Sequence, residues 1–262
     1  YAVFVGSKSA ISDILSHTEN FSLYEKSSAR SKEGYFESIK NRGHSIFIND
    51  EEGLIYFNKD IYLHRRLSKT AYEFVDRFYC WGNDQKKILN EWDCNDSKKT
   101  LLTGNPRIDL LREDFSYSNK KISSIKKKLG SFILINTKFG YSNNKIGFKK
   151  FIKDNRRSGV ITKVDDLKNR ISYYHYQKKL QKYFVEMILQ ISEKNPDTKL
   201  VVRPHPSENV EYWNRIFKKN NNIIVDSSGE AYVWIKAASV VIHNGCTTAI
   251  EAILEKNTMV IS

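Results

Sequence analysis

Several features that define common protein classes are scarce or absent in this sequence. The 262 residues include three cysteines, Cys80, Cys94 and Cys246, an odd number without metal-ligand spacing. No run of roughly 18 apolar residues is present, so no membrane-spanning helix is predicted, and no signal peptide is recognisable. We therefore expect a cytoplasmic protein without a metal site, and peripheral contact with the inner membrane stays open.

Sequence motifs of several enzyme classes are also missing. The chain has neither the G-x-G-x-x-G fingerprint nor a P-loop, which argues against dinucleotide oxidoreductases and NTPases, and it has no G-x-S-x-G elbow. With only four prolines, 40% hydrophobic and 13% aromatic residues, the composition is that of a folded globular protein. The length fits one large domain or two modest ones.

Basic residues exceed acidic ones, 43 to 30, for a net charge of +13. Such an excess favours anionic partners: nucleotides, acidic glycans, nucleic acid or an anionic membrane face. Charge alone does not choose among them. Lysine runs such as 126–128 and 149–150 are interpreted as a solvated basic surface.

Short apolar runs alternate with longer helical patterns along the chain. Predicted strands are Ala2–Gly6, His44–Asn49, Leu101–Gly104, Phe132–Asn136, Lys199–Arg203, Ile223–Asp226, Val240–His243 and Met259–Ile261. Predicted helices are Glu33–Asn41, Asp84–Trp92, Ile122–Leu129, Leu167–Ser192 and Thr247–Glu255. This order predicts an α/β fold with mostly parallel sheets.

The polar, serine-rich stretch 112–128 marks a domain boundary. We expect an N-terminal Rossmann-like domain over residues 1–125 and a C-terminal one over 126–262. Because the sequence starts and ends on predicted strands, we expect both domains to be incomplete. Residues 141–163 are predicted to form a long mobile loop, and loops of that size are often functional.

The strongest candidate site follows the predicted strand 199–203, in the sequence Arg203-Pro204-His205-Pro206. Ligands of α/β sheets bind beyond the carboxyl ends of strands, and flanking prolines restrict the directions that His205 can take. His205 could donate to a phosphate oxygen or, as a catalytic residue, stabilise a leaving phosphate, and Arg203 could add charge. The alternative is a strand-end histidine bonded to backbone carbonyls.

A second candidate follows the strand 240–243, where Gly245 and Cys246 precede Thr247 and Thr248 at a helix start. Hydroxyls and free N–H groups at a helix N-terminus favour a phosphate. Glu251, one turn further, could reach a ribose hydroxyl. The alternative is that Thr248 caps the helix and Glu251 completes a capping box.

Three weaker candidates lie at other strand ends. Ser227 and Ser228 could wrap a base or phosphate, or simply form a turn. The remaining two lie in the first half of the chain and comprise the acidic run Asp50, Glu51 and Glu52, and the turn Asn105, Pro106, Arg107 and Asp109.

The acidic run suits general acid or base chemistry, although a solvated acidic turn explains it equally. In the turn, Asn105 is suited to a helix cap and Pro106 to the first helical position. Asp109 is a candidate base or nucleophile facing a sugar carbon. Alternatively, it forms an ion pair with Arg107.

In order and spacing, these blocks resemble the bacterial surface carbohydrate biosynthesis protein family, which is related to retaining β-Kdo glycosyltransferases. The matching segments are 50–54, 62–67, Asp76, Trp81-Gly82, 104–111, 133–140, 203–208 and 243–252. Where the family carries an Asn after Thr in the Ile-Asn-Thr-Asn-Phe-Gly block, this chain has Lys138.

The resemblance implies a GT-B fold of two Rossmann-like halves facing a cleft. It implies a CMP-linked donor of Kdo or a related acidic sugar on the C-terminal half, with its phosphate on His205 and the Thr247-Thr248 turn and its ribose on Glu251. Pro206, Gly245 and Cys246 would also bind the donor. A glycan or glycolipid acceptor would approach the N-terminal half, where Asp109 and residues 50–52 would be the catalytic candidates. No cofactor or metal is implied beyond the donor.

Three functions follow as hypotheses. The first is a metal-independent glycosyltransferase of surface polysaccharide synthesis. The second is a CDP-polyol-type phosphotransferase, because such enzymes combine Pro-Arg-x-Asp with His-Pro. The third, from the +13 charge, is a non-catalytic module that binds polyanions, whereas nucleic acid is not the expected partner.

Overall fold

The computed structural model describes residues 2–50, 53, 54, 56, 58–92, 96–109, 119–157, 159–255 and 258–262. The chain forms two compact units, Tyr1–Leu110 and Leu111–Ser262. Among the described residues, no helix combines the length and the apolarity needed to cross a membrane.

The first unit is built on a four-stranded parallel sheet. Its strands are β1 (Ser22–Glu25), β2 (Ser45–Asn49), β3 (Arg77–Cys80) and β4 (Thr100–Leu102), which pair in chain order. Its α-helices are α1 (Lys8–Ser16), α2 (Glu33–Asn41), α3 (Lys59–Ile61), α4 (Lys69–Glu73), α5 (Asn83–Asn90) and α6 (Pro106–Asp109). A π-helical turn, Tyr62–Arg66, follows α3.

The core of the first unit forms because apolar residues recur with the period of each element. Phe36 and Ile39, one helical turn apart on α2, are buried with Ile46 and Ile48, which alternate along β2. These two periods bring one face of the helix onto one face of the sheet.

The second unit has a five-stranded parallel sheet in the order β7-β6-β5-β8-β9. The strands are β5 (Phe132–Asn136), β6 (Lys199–Arg203), β7 (Ile223–Val225), β8 (Val240–His243) and β9 (Met259–Ile261). The helices are α7 (Asn119–Leu129), α8 (Phe148–Arg157), α9 (Val164–Lys194), α10 (Val210–Phe217), α11 (Ala231–Ala237) and α12 (Thr248–Leu254).

This second sheet is covered on both faces. Leu134 faces the core formed with α11, whereas Ile135 faces the opposite core, formed with α9 and α10. Successive side chains of a strand point to opposite faces, so a strand buried on both sides needs a continuous apolar sequence. That is why Phe-Ile-Leu-Ile at 132–135 predicts a central strand.

Several predicted elements are confirmed. The strands at 132–136, 199–203, 240–243 and 259–261 and the helix at 33–41 lie at their predicted bounds. The predicted helices at 84–92, 122–129, 167–192 and 247–255 are present with shifted ends.

The predicted strand Ala2–Gly6 is wrong. These residues form no strand, and Val3 and Val5 are 84% and 94% exposed. Strand β1 is the edge of its sheet, and no pairing joins residues 2–6 to it in the described chain, so their apolar sequence alone does not make a strand. The segment lies instead beside α1 and β1, where it helps to line a cavity of about 570 Å³.

The predicted long loop at 141–163 is wrong in part, because it contains α8, a helix of ten residues. The predicted domain boundary after residue 125 passes through α7. Ile122 and Ile125 of that helix pack against the core of the second unit.

Candidate functional site

The candidate site lies at the carboxyl ends of three neighbouring strands of the second unit. Asn136, at the end of β5, is in register with Arg203 of β6 on one side and with His243 of β8 on the other. The loops that follow β6 and β8 therefore flank the loop that follows β5. The two segments predicted from the sequence as candidate sites, 203–208 and 243–251, therefore both begin at this edge of the sheet.

Glu208 organises the loop after β6. Its carboxylate is 2% exposed. One oxygen accepts from the Thr137 hydroxyl at 2.9 Å and from the His205 N–H at 3.0 Å, and the other accepts from Trp213 Nε1 at 3.0 Å. Burial raises the pKa of Glu208, and these hydrogen bonds work in the opposite direction. The carboxylate thus ties the His-Pro loop to the end of β5.

The orientation of His205 is fixed by its own loop. Nδ1 accepts from the Ser207 N–H at 3.2 Å and lies 2.8 Å from the Ser207 hydroxyl. Burial, with Lys138 and Lys145 nearby, lowers the pKa of His205. The ring is therefore neutral near pH 7, and because Nδ1 accepts, the proton is on Nε2. Nε2–H has no acceptor among the described residues and can donate to a ligand.

The turn after β8 is attached to the end of β5. Asn136 Nδ2 donates to the Thr248 hydroxyl at 3.0 Å, and the Lys138 N–H donates to Asn244 Oδ1 at 2.7 Å. Gly245 has φ +81°, a left-handed conformation that favours glycine. Within the described chain, no acceptor is found for the N–H groups of residues 246–248, so this turn can receive an anion.

The capping-box alternative for the 247–251 segment is not what the structure contains. Thr247, not Thr248, is the cap residue of α12, and its side chain makes no capping hydrogen bond. Cys246 and Glu251 are both buried. A contact of Glu251 with a ribose stays a prediction.

The Arg203 side chain contacts the loop after β7. Its guanidinium donates to the carbonyls of Ser228 and Gly229, the first at 2.7 Å and the second at 2.5 Å, and lies over the Trp234 ring. Trp234 Nε1 also donates to the Ser228 carbonyl, at 2.9 Å. Arg203 thus holds the loop after β7, which is a different arrangement from the predicted phosphate contact.

This loop borders a cavity of about 520 Å³ between α7 and α11. Ile125, Val233 and Trp234 supply apolar walls, and Ser228 and Gly229 supply polar backbone. Ser227, its exposed neighbour, does not line this cavity. The volume suits a small planar group such as a nucleobase.

The candidates of the first unit have different surroundings. Asp50 is fully buried, and its carboxylate accepts from Tyr62 Oη at 3.0 Å and from Arg66 Nε at 2.9 Å. A buried, paired carboxylate is not the solvated acidic turn or the free base that the sequence suggests. Glu51 and Glu52 lie outside the described residues.

The turn before α6 has the predicted cap. Asn105 Oδ1 accepts from the Arg107 N–H at 2.9 Å, and Pro106 is the first residue of the helix. Asp109 is exposed at the helix end. The two alternatives for Asp109, a catalytic carboxylate or an ion pair with Arg107, both stay predictions.

Sequence reasoning missed Glu208, Thr137 and Gln177 as supports of the site. Gln177, buried on α9, donates to the Lys138 carbonyl and accepts from the Tyr141 N–H, each at 3.1 Å. A signal for Glu208 was available, since a carboxylate three residues after His205 can bond back to its N–H. Gln177 is remote in sequence from the loop that it holds, and nothing local marks it.

The two histidines of the site predict a pH effect on stability. The folded-state pKa values of His205 and His243 are lowered by burial, so stability is lost as pH falls below their unfolded pKa of about 6.5. The raised pKa of Glu208 acts in the opposite sense, since its proton binds better in the folded state. Comparing the pH dependence of stability in the parent and in a variant without the two histidines separates their contribution from that of Glu208.

We expect the urea midpoint to fall less between pH 7 and pH 5 in His205→Asn/His243→Asn than in the parent. His175→Asn, at an exposed position, should retain the full fall. An unchanged pH dependence in the double variant would contradict the assignment.

No protein-family model matches the sequence, and no curated protein matches it. Solved structures do match. One is UDP-GlcNAc 2-epimerase from Neisseria meningitidis bound to UDP-GlcNAc, with a TM-score of 0.58, 16% identity, and coverage of 96% of this chain and 62% of that one. Another is UDP-GlcNAc 2-epimerase from Methanocaldococcus jannaschii in complex with UDP-GlcNAc and UDP, with a TM-score of 0.59, 12% identity, and coverage of 97% of this chain and 68% of that one.

A third match is the Staphylococcus aureus MnaA–UDP co-structure, with a TM-score of 0.55, 13% identity, and coverage of 97% of this chain and 60% of that one. The chain thus spans 62% of the Neisseria structure's length. At these identities the likeness concerns the fold. It confirms the predicted GT-B-like class of two Rossmann-like halves with parallel sheets.

Proposed function

We propose that this protein is a glycosyltransferase of bacterial surface polysaccharide synthesis that holds a nucleotide-sugar donor on its second unit. The observation that carries the proposal is the neutral His205, whose Nε2–H has no acceptor in the described chain. The loop after β5 lies between His205 and the turn at residues 246–248, whose N–H groups have no acceptor in the described chain. Two such donor sets at one sheet edge suit a phosphate.

The donor phosphate would accept from His205 Nε2–H and from the 246–248 backbone. Lys138 lies beside the turn after β8, with its Nζ 3.5 Å from the Gly245 carbonyl. It would add positive charge where the family has an amide. The nucleobase would occupy the cavity beside Trp234, behind the loop that Arg203 holds. No cofactor or metal is required in this arrangement.

The donor nucleotide is the finer part of the proposal. The family resemblance favours a CMP-linked acidic sugar such as Kdo. Three of the matching structures are complexes with UDP-GlcNAc or UDP, which favours a uridine nucleotide. The acceptor, a glycan or glycolipid, would be served by the first unit with Asp109 as base.

A second function is favoured by the same fold matches: epimerisation at the 2-position of a UDP-sugar. Product analysis separates the candidates. Glycosyl transfer lengthens an acceptor, epimerisation changes the sugar without an acceptor, and a polyol phosphotransferase would transfer phosphorus. Either of the last two results, without glycosyl transfer, would displace the glycosyltransferase proposal.

Calorimetric titration with CMP, CDP and UDP tests the donor site directly. A hydrogen bond to a charged group contributes about 1.5–3 kcal/mol, so His205→Ala should weaken nucleotide binding roughly 10- to 100-fold. Thr247→Ala leaves its backbone N–H in place and should weaken binding by less than His205→Ala does.

The matched control is His175→Ala, at an exposed position on α9, which should bind like the parent. If none of the three nucleotides binds, or if His205→Ala binds as tightly as His175→Ala, the donor-site assignment is wrong.

A further inference from the structure

A helical hairpin extends beyond the carboxyl edge of the second sheet. We define the basic arm as residues 148–176, comprising α8, the following turn and the first half of α9. Helix α9 has 31 residues, but its buried positions are Gln177, Gln181, Phe184, Ile188 and Ser192, so none lies among its first 13 residues. The residues from 164 to 176 therefore project about 20 Å past the part that packs on the sheet.

Aromatic contacts hold the two helices of the basic arm together. Phe148 stacks on Tyr174 with ring centroids 4.2 Å apart, and Tyr141 contacts both Phe151 at 5.1 Å and Tyr173 at 4.9 Å. The apolar face of α8 is used in these contacts, and its lysines and arginines remain outward. The arm is thus an ordered element with a basic exterior.

The turn at the end of the arm leaves two apolar side chains exposed. The Asn155 carbonyl accepts from the N–H groups of Val160 and Ile161, at 2.9 and 3.1 Å, and Gly159 has φ +71°. This capped turn buries Ile161 and leaves Val160 50% exposed. Val164, at the start of α9, is 69% exposed.

Basic residues outnumber acidic ones around these valines, and Asp165 and Asp166 directly follow Val164. Residues 148–176 contain eight Lys and Arg and three Asp, a net charge of +5 within a chain of +13. Arg156, Arg157 and Lys163, each within four residues of a valine in sequence, are exposed. An apolar tip with cations around it matches the surface of an anionic bilayer, where apolar groups enter the interface and cations meet lipid phosphates.

We propose that the tip of the basic arm docks on an anionic lipid surface. A soluble acidic glycan would use the same cations but gains nothing from two exposed valines. An anionic lipid surface would interact with the cations and with the valines, and we therefore favour it over an acidic glycan. The proposal does not depend on the nucleotide site, because the tip lies outside it.

Co-sedimentation of the 262-residue chain with vesicles tests the proposal. We expect binding to vesicles containing phosphatidylglycerol and much weaker binding to pure phosphatidylcholine. Each cation near the surface contributes about 1 kcal/mol, so Arg156→Gln/Arg157→Gln should weaken binding roughly 30-fold. Val160→Ser/Val164→Ser should weaken it about tenfold by removing apolar burial.

The matched control is Lys126→Gln/Lys127→Gln on α7, which removes the same charge from exposed positions elsewhere in the unit. It should bind several-fold more tightly than Arg156→Gln/Arg157→Gln. Circular dichroism should show all variants folded. Equal losses in the two charge variants, or no effect of the valines, would overturn the proposal. Binding to soluble alginate but not to anionic vesicles would assign the surface to a glycan instead.

Discussion

Glu208→Ala is expected to destabilise the second unit by roughly 3–5 kcal/mol, since the substitution leaves buried donors without acceptors at about 1–3 kcal/mol each. The carboxylate accepts from the His205 N–H, the Thr137 hydroxyl and Trp213 Nε1. Trp213 is fully buried, so water cannot replace the lost acceptor there. The urea midpoint should fall, and hydrogen exchange should accelerate in β5 and β6.

Glu211→Ala provides the comparison for Glu208→Ala. Glu211 is exposed on the first turn of α10, so its truncation should change stability by no more than about 0.5 kcal/mol. A Glu208→Ala protein as stable as Glu211→Ala would show that the carboxylate does not organise the loop. Nucleotide binding should weaken in Glu208→Ala, because the His205 N–H loses its fixed position.

Asp50→Ala is expected to destabilise the first unit by about 3–5 kcal/mol, the usual cost of breaking a buried ion pair by removing one partner. Asp50 Oδ1 lies 2.7 Å from Arg66 Nη2, and Oδ2 accepts from Tyr62 Oη. Tyr62 Oη in turn accepts from Gln85 Nε2 at 2.7 Å. The loss should appear as faster hydrogen exchange in β2 and β3.

This outcome separates a structural Asp50 from a catalytic one. If Asp50 served mainly as a general base, its removal would abolish turnover and leave the stability of the unit unchanged. Asp60→Ala, at an exposed position, is the control and should match the parent. Retained stability in Asp50→Ala would restore the catalytic interpretation.

The sequence predicted the second unit better than the first, for a physical reason. Strands β5, β6 and β8 are buried on both faces, and a run such as Phe-Ile-Leu-Ile has few other uses. Strands β1 and β3 are four residues each, Ser-Leu-Tyr-Glu and Arg-Phe-Tyr-Cys. Such short, mixed polar and aromatic sequences are also found in loops, so these two strands become recognisable only through their pairing with β2.

The candidate site shows a similar division. His205 and the 245–248 turn were predictable, because strand ends and prolines are local signals. The use of Arg203 was not, because its partners are the carbonyls of Ser228 and Gly229, 25 and 26 residues away. Which way a strand-end side chain turns depends on a neighbouring loop that its own sequence does not encode.

The two strand orders have different consequences during synthesis on the ribosome. In the first unit each strand pairs with its predecessor, so the sheet can grow as the chain emerges. In the second, β5 lies between β6 and β8, and Ile133 pairs with Val240, 107 residues later. At roughly 5–20 residues per second, that edge of β5 stays unpaired for about 5–20 s. Nascent chains of this protein should therefore need holding by a chaperone mainly while the second unit is being made.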